Sequence, residues 1–169
     1  METEKESEYL KGLMGAVEDK LSITKKEIET VNFIFWLTCL CEKQIATTAM
    51  WVELSNWAKL GGMPKSDEFF EYVFEEISFM GKIKIMEKMT ELYGSDVPQW
   101  KPFINFLKKL NDSRNKIAHF KFKELMWGNK KIEEEQTKVE IIDEFLKLGE
   151  NLGEGVKKST ETAWHLSQK

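Results

Sequence analysis

Arginine is almost absent from this chain: of 25 basic residues 24 are lysine, and the exception is Arg114. Histidine is nearly as scarce, with His119 and His165 alone. Cysteine stands at two positions, Cys39 and Cys41, proline at three and glycine at ten. Each shortage excludes something. Two cysteines two residues apart project roughly 200° apart on a helix, so they do not bridge each other, and no further cysteine exists to bridge either. A disulfide framework is excluded, and without a second ligand pair neither a metal site nor a redox motif is expected at these thiols. Two lone thiols in an apolar run read as core residues in a reducing compartment, and the expected location is cytoplasmic. Scarce proline and glycine disfavour a many-turned β fold and favour long helices.

Long apolar runs are missing as well. The most apolar stretch, Val31 to Cys41, falls far short of the roughly 20 residues that span a bilayer, so it reads as a buried core helix and no membrane association is expected. The first residues, METEKESEYLKG, are acidic and carry no apolar h-region, so no signal peptide is expected. There is no P-loop, no glycine-rich dinucleotide fingerprint, no HExxH and no Cys/His metal spacing, so neither a metal nor a cofactor is expected.

What is present is a globular composition, 41% hydrophobic and 32% charged over 169 residues, enough for one helical domain, residues 1–169, to bury a core without staples. A first helix is expected over about Glu4–Lys20. Thr24 and Glu27 form a capping-box pattern that opens a long helix to about Leu60, with Thr47, Thr48 and crowded aromatics as candidate causes of a kink. Gly61-Gly62-Met63-Pro64 stops it. Ser66 is the next cap, and Phe69, Phe70, Val73, Phe74 and Ile77 mark a helix over about Glu68–Met80. Gly81 is either a break or a tight contact. Helical periodicity resumes through Ile83, Ile85, Met86, Met89 and Leu92 to Gly94, and Ser95-Asp96-Val97-Pro98 is a turn. A helix over about Gln99–His119 follows, then a small β-hairpin turning at Gly128-Asn129. A last helix from Val139 to about Leu166 carries Ile141, Ile142, Phe145, Leu148, Leu152 and Val156, with Trp164 near its end. The expected fold is an all-α bundle of five to six helices with one small hairpin, and most of the Phe, Trp and Met residues fill its core.

Charge is unevenly spread. From Lys101 to Lys131 there are nine basic residues and two acidic ones, a local +7 on a chain of net −4 that leaves −11 elsewhere. Such a stretch is either an electrostatic footprint for phosphates or a solvated lysine-rich face. The lone arginine lies inside it, five residues before a histidine. Arginine presents a planar fork that matches phosphate, where lysine is a point charge. Phe103, Leu107, Leu110 and Ile117 form an apolar stripe in which Arg114 fills the missing position, so Arg114 is either paired, snorkelling or at an interface. Asn115 and His119, four apart, share a face. Arg114 and His119 project about 140° apart on an ideal helix and meet only if the helix ends near Ala118 or a second copy supplies one of them.

Arg114-Asn115-Lys116-Ile117-Ala118-His119 reads R-N-x-x-x-H. It resembles the signature of HEPN domains (higher eukaryotes and prokaryotes nucleotide-binding): arginine, a polar residue, spacers, then histidine. The run-up, Phe79-Met80-Gly81-Lys82-Ile83 and Phe106-Leu107-Lys108-Lys109-Leu110-Asn111, is similar too; elsewhere the agreement is only in helical character. The resemblance implies an all-α bundle that dimerises and, as in many such domains of toxin, abortive-infection or CRISPR antiviral defence systems, a metal-independent endoribonuclease with the motifs of two protomers facing one cleft. It implies that His119 transfers a proton as a ribose 2′-hydroxyl attacks the adjacent phosphate, that Arg114 holds and neutralises that phosphate, and that Asn115 orients one of them. Histidine suits this work because it titrates near neutral pH. Lys108, Lys109, Lys116, Lys121 and Lys123 are the candidate contacts to the RNA backbone. HEPN toxins neutralised by a nucleotidyltransferase partner typically carry tyrosine two positions after the histidine; this chain has Lys121 there, which implies a different antitoxin or regulatory protein, or none.

Two readings stay open at this point. One is the dimeric ribonuclease. The other is a non-catalytic helical module that binds nucleotide, RNA or a protein partner, with Arg114 a structural or interface residue and His119 a helix-end residue facing the terminal carbonyls.

Overall fold

The computed structural model describes Gly12 and residues 23–59, 76–93 and 100–167. These form four α-helices and one minimal hairpin: α1 (Lys25–Lys59), α2 (Phe79–Tyr93), α3 (Trp100–Ala118), a 3-10 turn at Phe122–Glu124, β1 (Met126–Trp127), β2 (Lys130–Lys131) and α4 (Glu135–Ser167). The all-α class stands, with four helices among the described residues rather than five to six. Gly12 is helical. The rest of the expected Glu4–Lys20 helix, the Gly61–Pro64 stop, the Ser66 cap and the Ser95–Pro98 turn lie outside the described residues, as does most of the expected Glu68–Met80 helix.

α1 begins as its capping box dictates. The Thr24 hydroxyl accepts the Glu27 amide at 3.3 Å, and Glu27 Oε2 accepts both the Thr24 amide at 2.7 Å and the Thr24 hydroxyl at 2.9 Å. The helix then runs unbroken to Lys59. Thr47 and Thr48, like Thr30 and Thr38, send their hydroxyls to the carbonyl four residues back, which keeps them within the helical ladder. Its cysteines face opposite ways: Cys41 is buried, but Cys39 is exposed, which corrects the expectation of two core thiols. Burial, helped by the Glu42 carboxylate, pushes the Cys41 thiol well above its ordinary pKa.

Gly81 proves to be a tight contact. The chain turns at Glu76–Ser78, the Ser78 hydroxyl accepts the Gly81 amide at 3.2 Å, and α2 runs straight through the glycine. A Cβ at Gly81 would stand 2.5 Å from Ile77 Cγ2, so the missing side chain is what lets Ile77 fold back over the first turn.

α1 packs against α4, α2 against α3, and α3 reaches both α1 and α4. One apolar cluster joins them, built from Ile34, Leu37 and Ile45 of α1, Ile83 and Met86 of α2, Trp100, Phe103, Phe106, Leu107 and Leu110 of α3, and Ile141 and Leu152 of α4. Each fully buried large apolar side chain contributes roughly 1.5–3 kcal/mol. An ion pair of buried Lys82 with half-buried Glu42, at 3.4 Å, links α2 to α1.

The hairpin forms where Gly128-Asn129 predicts it, with Met126 opposite Lys131, Trp127 opposite Lys130, and Gly128 at φ +61°. It is pinned to the bundle rather than free. Trp127 meets Phe106 edge-on at 5.1 Å and donates its indole N–H to Glu144 Oε2 at 2.9 Å. Ile132 is fully buried and its amide reaches Leu125 O at 3.1 Å. Lys130 Nζ binds both carboxylate oxygens of Glu140 at 2.7 Å, which holds that carboxyl below its ordinary pKa. Among the described residues no helix is long and apolar enough to cross a membrane.

Candidate functional site

α3 is an amphipathic helix whose buried face is the stripe read from its sequence: Phe103, Leu107, Leu110 and Ile117 are all buried. Arg114 occupies the remaining position and is only partly buried. Its guanidinium carbon lies 4.9 Å from the centre of the Phe79 ring, at the start of α2. Such a cation–π contact steadies the side chain by roughly 0.5–1 kcal/mol without neutralising its charge. Among the described residues no carboxylate reaches it. Arg114 is therefore a positioned cation, steered by an aromatic face and still able to pair with an anion.

Asn115 and His119 lie one turn apart and both are exposed. α3 ends at Ala118, the first of the two conditions, but the His119 amide still bonds Asn115 O at 3.1 Å, so the helical offset of about 140° from Arg114 carries through to His119. The structure thus brings Asn115 and His119 to one face and leaves Arg114 turned toward α2.

The end of α3 is unusual. The Lys121 amide reaches back to Lys116 O at 2.8 Å and the Phe120 amide to Ile117 O at 3.0 Å. This pair of bonds is the Schellman motif, which calls for a left-handed residue between them, ordinarily glycine. Here that residue is Phe120, with φ +56°, among the described residues the one non-glycine with positive φ. A Cβ in this region costs roughly 1–2 kcal/mol. The strained residue directly follows His119, and its ring is 69% exposed. The Lys116 and Ile117 carbonyls each accept a backbone amide.

The lysines divide. Lys108 pairs with Glu87, Lys109 with Glu144 at 3.6 Å, Lys116 with Asp112 at 2.7 Å and Lys121 with Glu124 at 3.8 Å. Lys109 also lies 5.3 Å from the centre of the Trp127 ring. Lys123 is exposed and has no acidic partner among the described residues. Asp112 and Glu124 already stand in the +7 counted along the sequence; carboxylates from outside the stretch, Glu87, Glu133, Glu140 and Glu144, offset four more charges and leave +3. Such exposed pairs are worth about 0–1 kcal/mol, so they hold these lysines only loosely away from a phosphate.

Two clefts open beside the helix end. One of about 420 Å³ is lined by Ile23, Glu27, Phe120, Lys121, Phe122, Lys123 and Glu124. Another of about 300 Å³ lies against Thr24, Glu27, Thr30, Phe122, Lys123, Leu125, Lys131 and Glu133. Neither Phe120 nor Phe79 is assigned to the site by the sequence. Phe120 did carry a signal: the helical pattern stops after Ala118 with neither glycine nor asparagine to stop it. Phe79 carried none, because its ring meets Arg114 only through the packing of α2 on α3. Among the described residues no three His, Cys, Asp or Glu side chains gather in a group that could hold a metal ion. No family model matches the chain, and neither does any curated protein or solved structure.

Proposed function

We propose that this protein is a metal-independent endoribonuclease of HEPN type, acting as a homodimer in a toxin or antiviral defence setting. The observation that carries the reading is Arg114: the chain's single guanidinium, set in an apolar stripe, steadied over Phe79 and free of any carboxylate among the described residues. A charge kept available in that way suits an anion that arrives from outside. His119, exposed at the end of the same helix, supplies the proton-transfer group.

The helical offset between the two residues fits a cleft built by two copies, where Arg114 of one protomer and His119 of the other face one phosphate. There His119 takes the proton of a ribose 2′-hydroxyl as its oxygen attacks the adjacent phosphorus. Arg114 neutralises charge on the phosphoryl oxygens. The 5′-oxygen leaves and is protonated, giving a 2′,3′-cyclic phosphate and a free 5′-hydroxyl. Asn115, on the same face as His119, orients the imidazole or the phosphate. Lys123 and the loosely paired Lys108, Lys109, Lys116 and Lys121 grip the backbone, so binding falls steeply with salt. Lys121 stands where the tyrosine modified by a nucleotidyltransferase partner would be, so restraint comes from a different antitoxin or regulatory protein, or there is none.

A second reading, a non-catalytic module for nucleotide, RNA or a protein partner, has its own support. Phe35 and Trp36, adjacent on α1, are 48% and 50% exposed, and the lysines pair internally. The deciding experiment compares wild type with His119→Ala on mixed single-stranded and structured RNA in the presence of chelator, with circular dichroism as the folding control. The ribonuclease reading predicts cleavage by wild type to 2′,3′-cyclic ends and a loss of about 100-fold or more in the variant. Folded, dimeric wild type that leaves the RNA intact would hand the lead to the second reading.

A further inference from the structure

We infer that Phe120 is a stacking platform for an unpaired RNA base, and that the cleft beside it is a nucleotide subsite; this rests on the reading that the chain binds RNA. Four observations converge on that ring. It is the most exposed large apolar side chain described, at 69%. Its backbone is held in the left-handed conformation at φ +56° by the two bonds that close α3, which fixes the direction of its Cα–Cβ bond. It meets Phe122 edge to face, with centroids 6.1 Å apart and planes at 83°. A T-shaped contact occupies one face of a ring at most, which leaves at least one face of Phe120 for a planar guest. Finally, it borders the cleft of about 420 Å³ that Lys121 and Lys123 also line.

The charges around that cleft say which part of a nucleotide enters. Glu27 and Glu124 also line it, and two carboxylates repel a phosphate from the interior. They do not repel a base, whose amino groups donate to carboxylates. Lys123, exposed and without an acidic partner among the described residues, offers the backbone a cation beside the stacked base. The neighbouring residue, His119, faces the adjoining phosphodiester. A base held on Phe120 therefore sets the register of the strand across His119, and that role accounts for a large aromatic, rather than a glycine, at a strained point. The lining is suited to single-stranded RNA, because stacking on an aromatic ring needs an unpaired base.

The test uses the full chain and short single-stranded 2′-O-methyl RNA, which lacks the attacking hydroxyl and is not cleaved, with 2-aminopurine as a fluorescent base at successive positions. Affinity and fluorescence quenching are compared for wild type, Phe120→Gly and Phe120→Trp, with circular dichroism and light scattering as controls. Glycine suits the left-handed position, so Phe120→Gly keeps the helix end while removing the ring. The expected result is quenching at one position in wild type, loss of that quenching and about 5- to 150-fold weaker binding in Phe120→Gly, and retention of both in Phe120→Trp. Unchanged affinity and quenching in Phe120→Gly overturns the stacking role and leaves the RNA reading standing. Failure of wild type to bind the RNA overturns both. Dissociation of a wild-type dimer into monomers by Phe120→Gly, with RNA affinity unaltered, assigns the ring to a contact between copies and also overturns the proposal.

Discussion

The start of α1 and the end of α3 are two helix termini built on opposite terms. At the start of α1 every local preference agrees with the structure. Threonine caps, glutamate closes the capping box, and the three short bonds between Thr24 and Glu27 are those that the two residue types predict. At the end of α3 the backbone motif is equally complete, but its left-handed position holds phenylalanine, a residue that pays for being there. A terminus that obeys local chemistry is explained by stability alone. One that violates it needs a further reason, and such violations concentrate at functional sites. The violation here lies next to His119 and six residues from the chain's sole arginine.

Two substitutions sharpen that contrast. Thr24→Ala removes a cap, so it lowers the unfolding free energy by about 1 kcal/mol, which urea denaturation reads. Phe120→Gly acts in the other direction. Relief of the left-handed strain outweighs the flexibility that glycine adds to the unfolded chain and the loss of the contact with Phe122, for a net gain of about 0.5 kcal/mol, while the functional readouts fall. A clear loss of stability in Phe120→Gly would mean that the ring's contacts outweigh its strain, and the contrast between the termini would dissolve.

The fold was largely legible because its signals were local. Thr24 and Glu27 lie three residues apart, Gly128-Asn129 is a turn in itself, and the stripe of Phe103, Leu107, Leu110 and Ile117 shows on a helical wheel. Gly81 was half legible: its smallness announced either a break or a close approach, and only the Ser78 cap and the folded-back Ile77 settle which. The candidate site was legible in residue type and not in environment. The oddity of Arg114 is visible in the composition, but the Phe79 ring that steadies it comes from another helix. The basic stretch was likewise legible as a count and not as an environment, because Glu87 and Glu144 approach Lys108 and Lys109 from elsewhere in the fold. Cys39 was misplaced because an apolar run was taken to be buried all round, whereas α1 turns one side outward.

Arg114 and His119, turned apart on one helix, are proposed to act together across two copies of the chain. Mixing folded Arg114→Ala and His119→Ala proteins under conditions that exchange subunits tests it most directly, with RNA cleavage as the readout. The account predicts that neither variant cleaves alone and that the mixture regains cleavage, since each mixed dimer holds one intact arginine facing one intact histidine. A mixture that forms mixed dimers and stays inactive, on RNA that wild type cleaves, would contradict it.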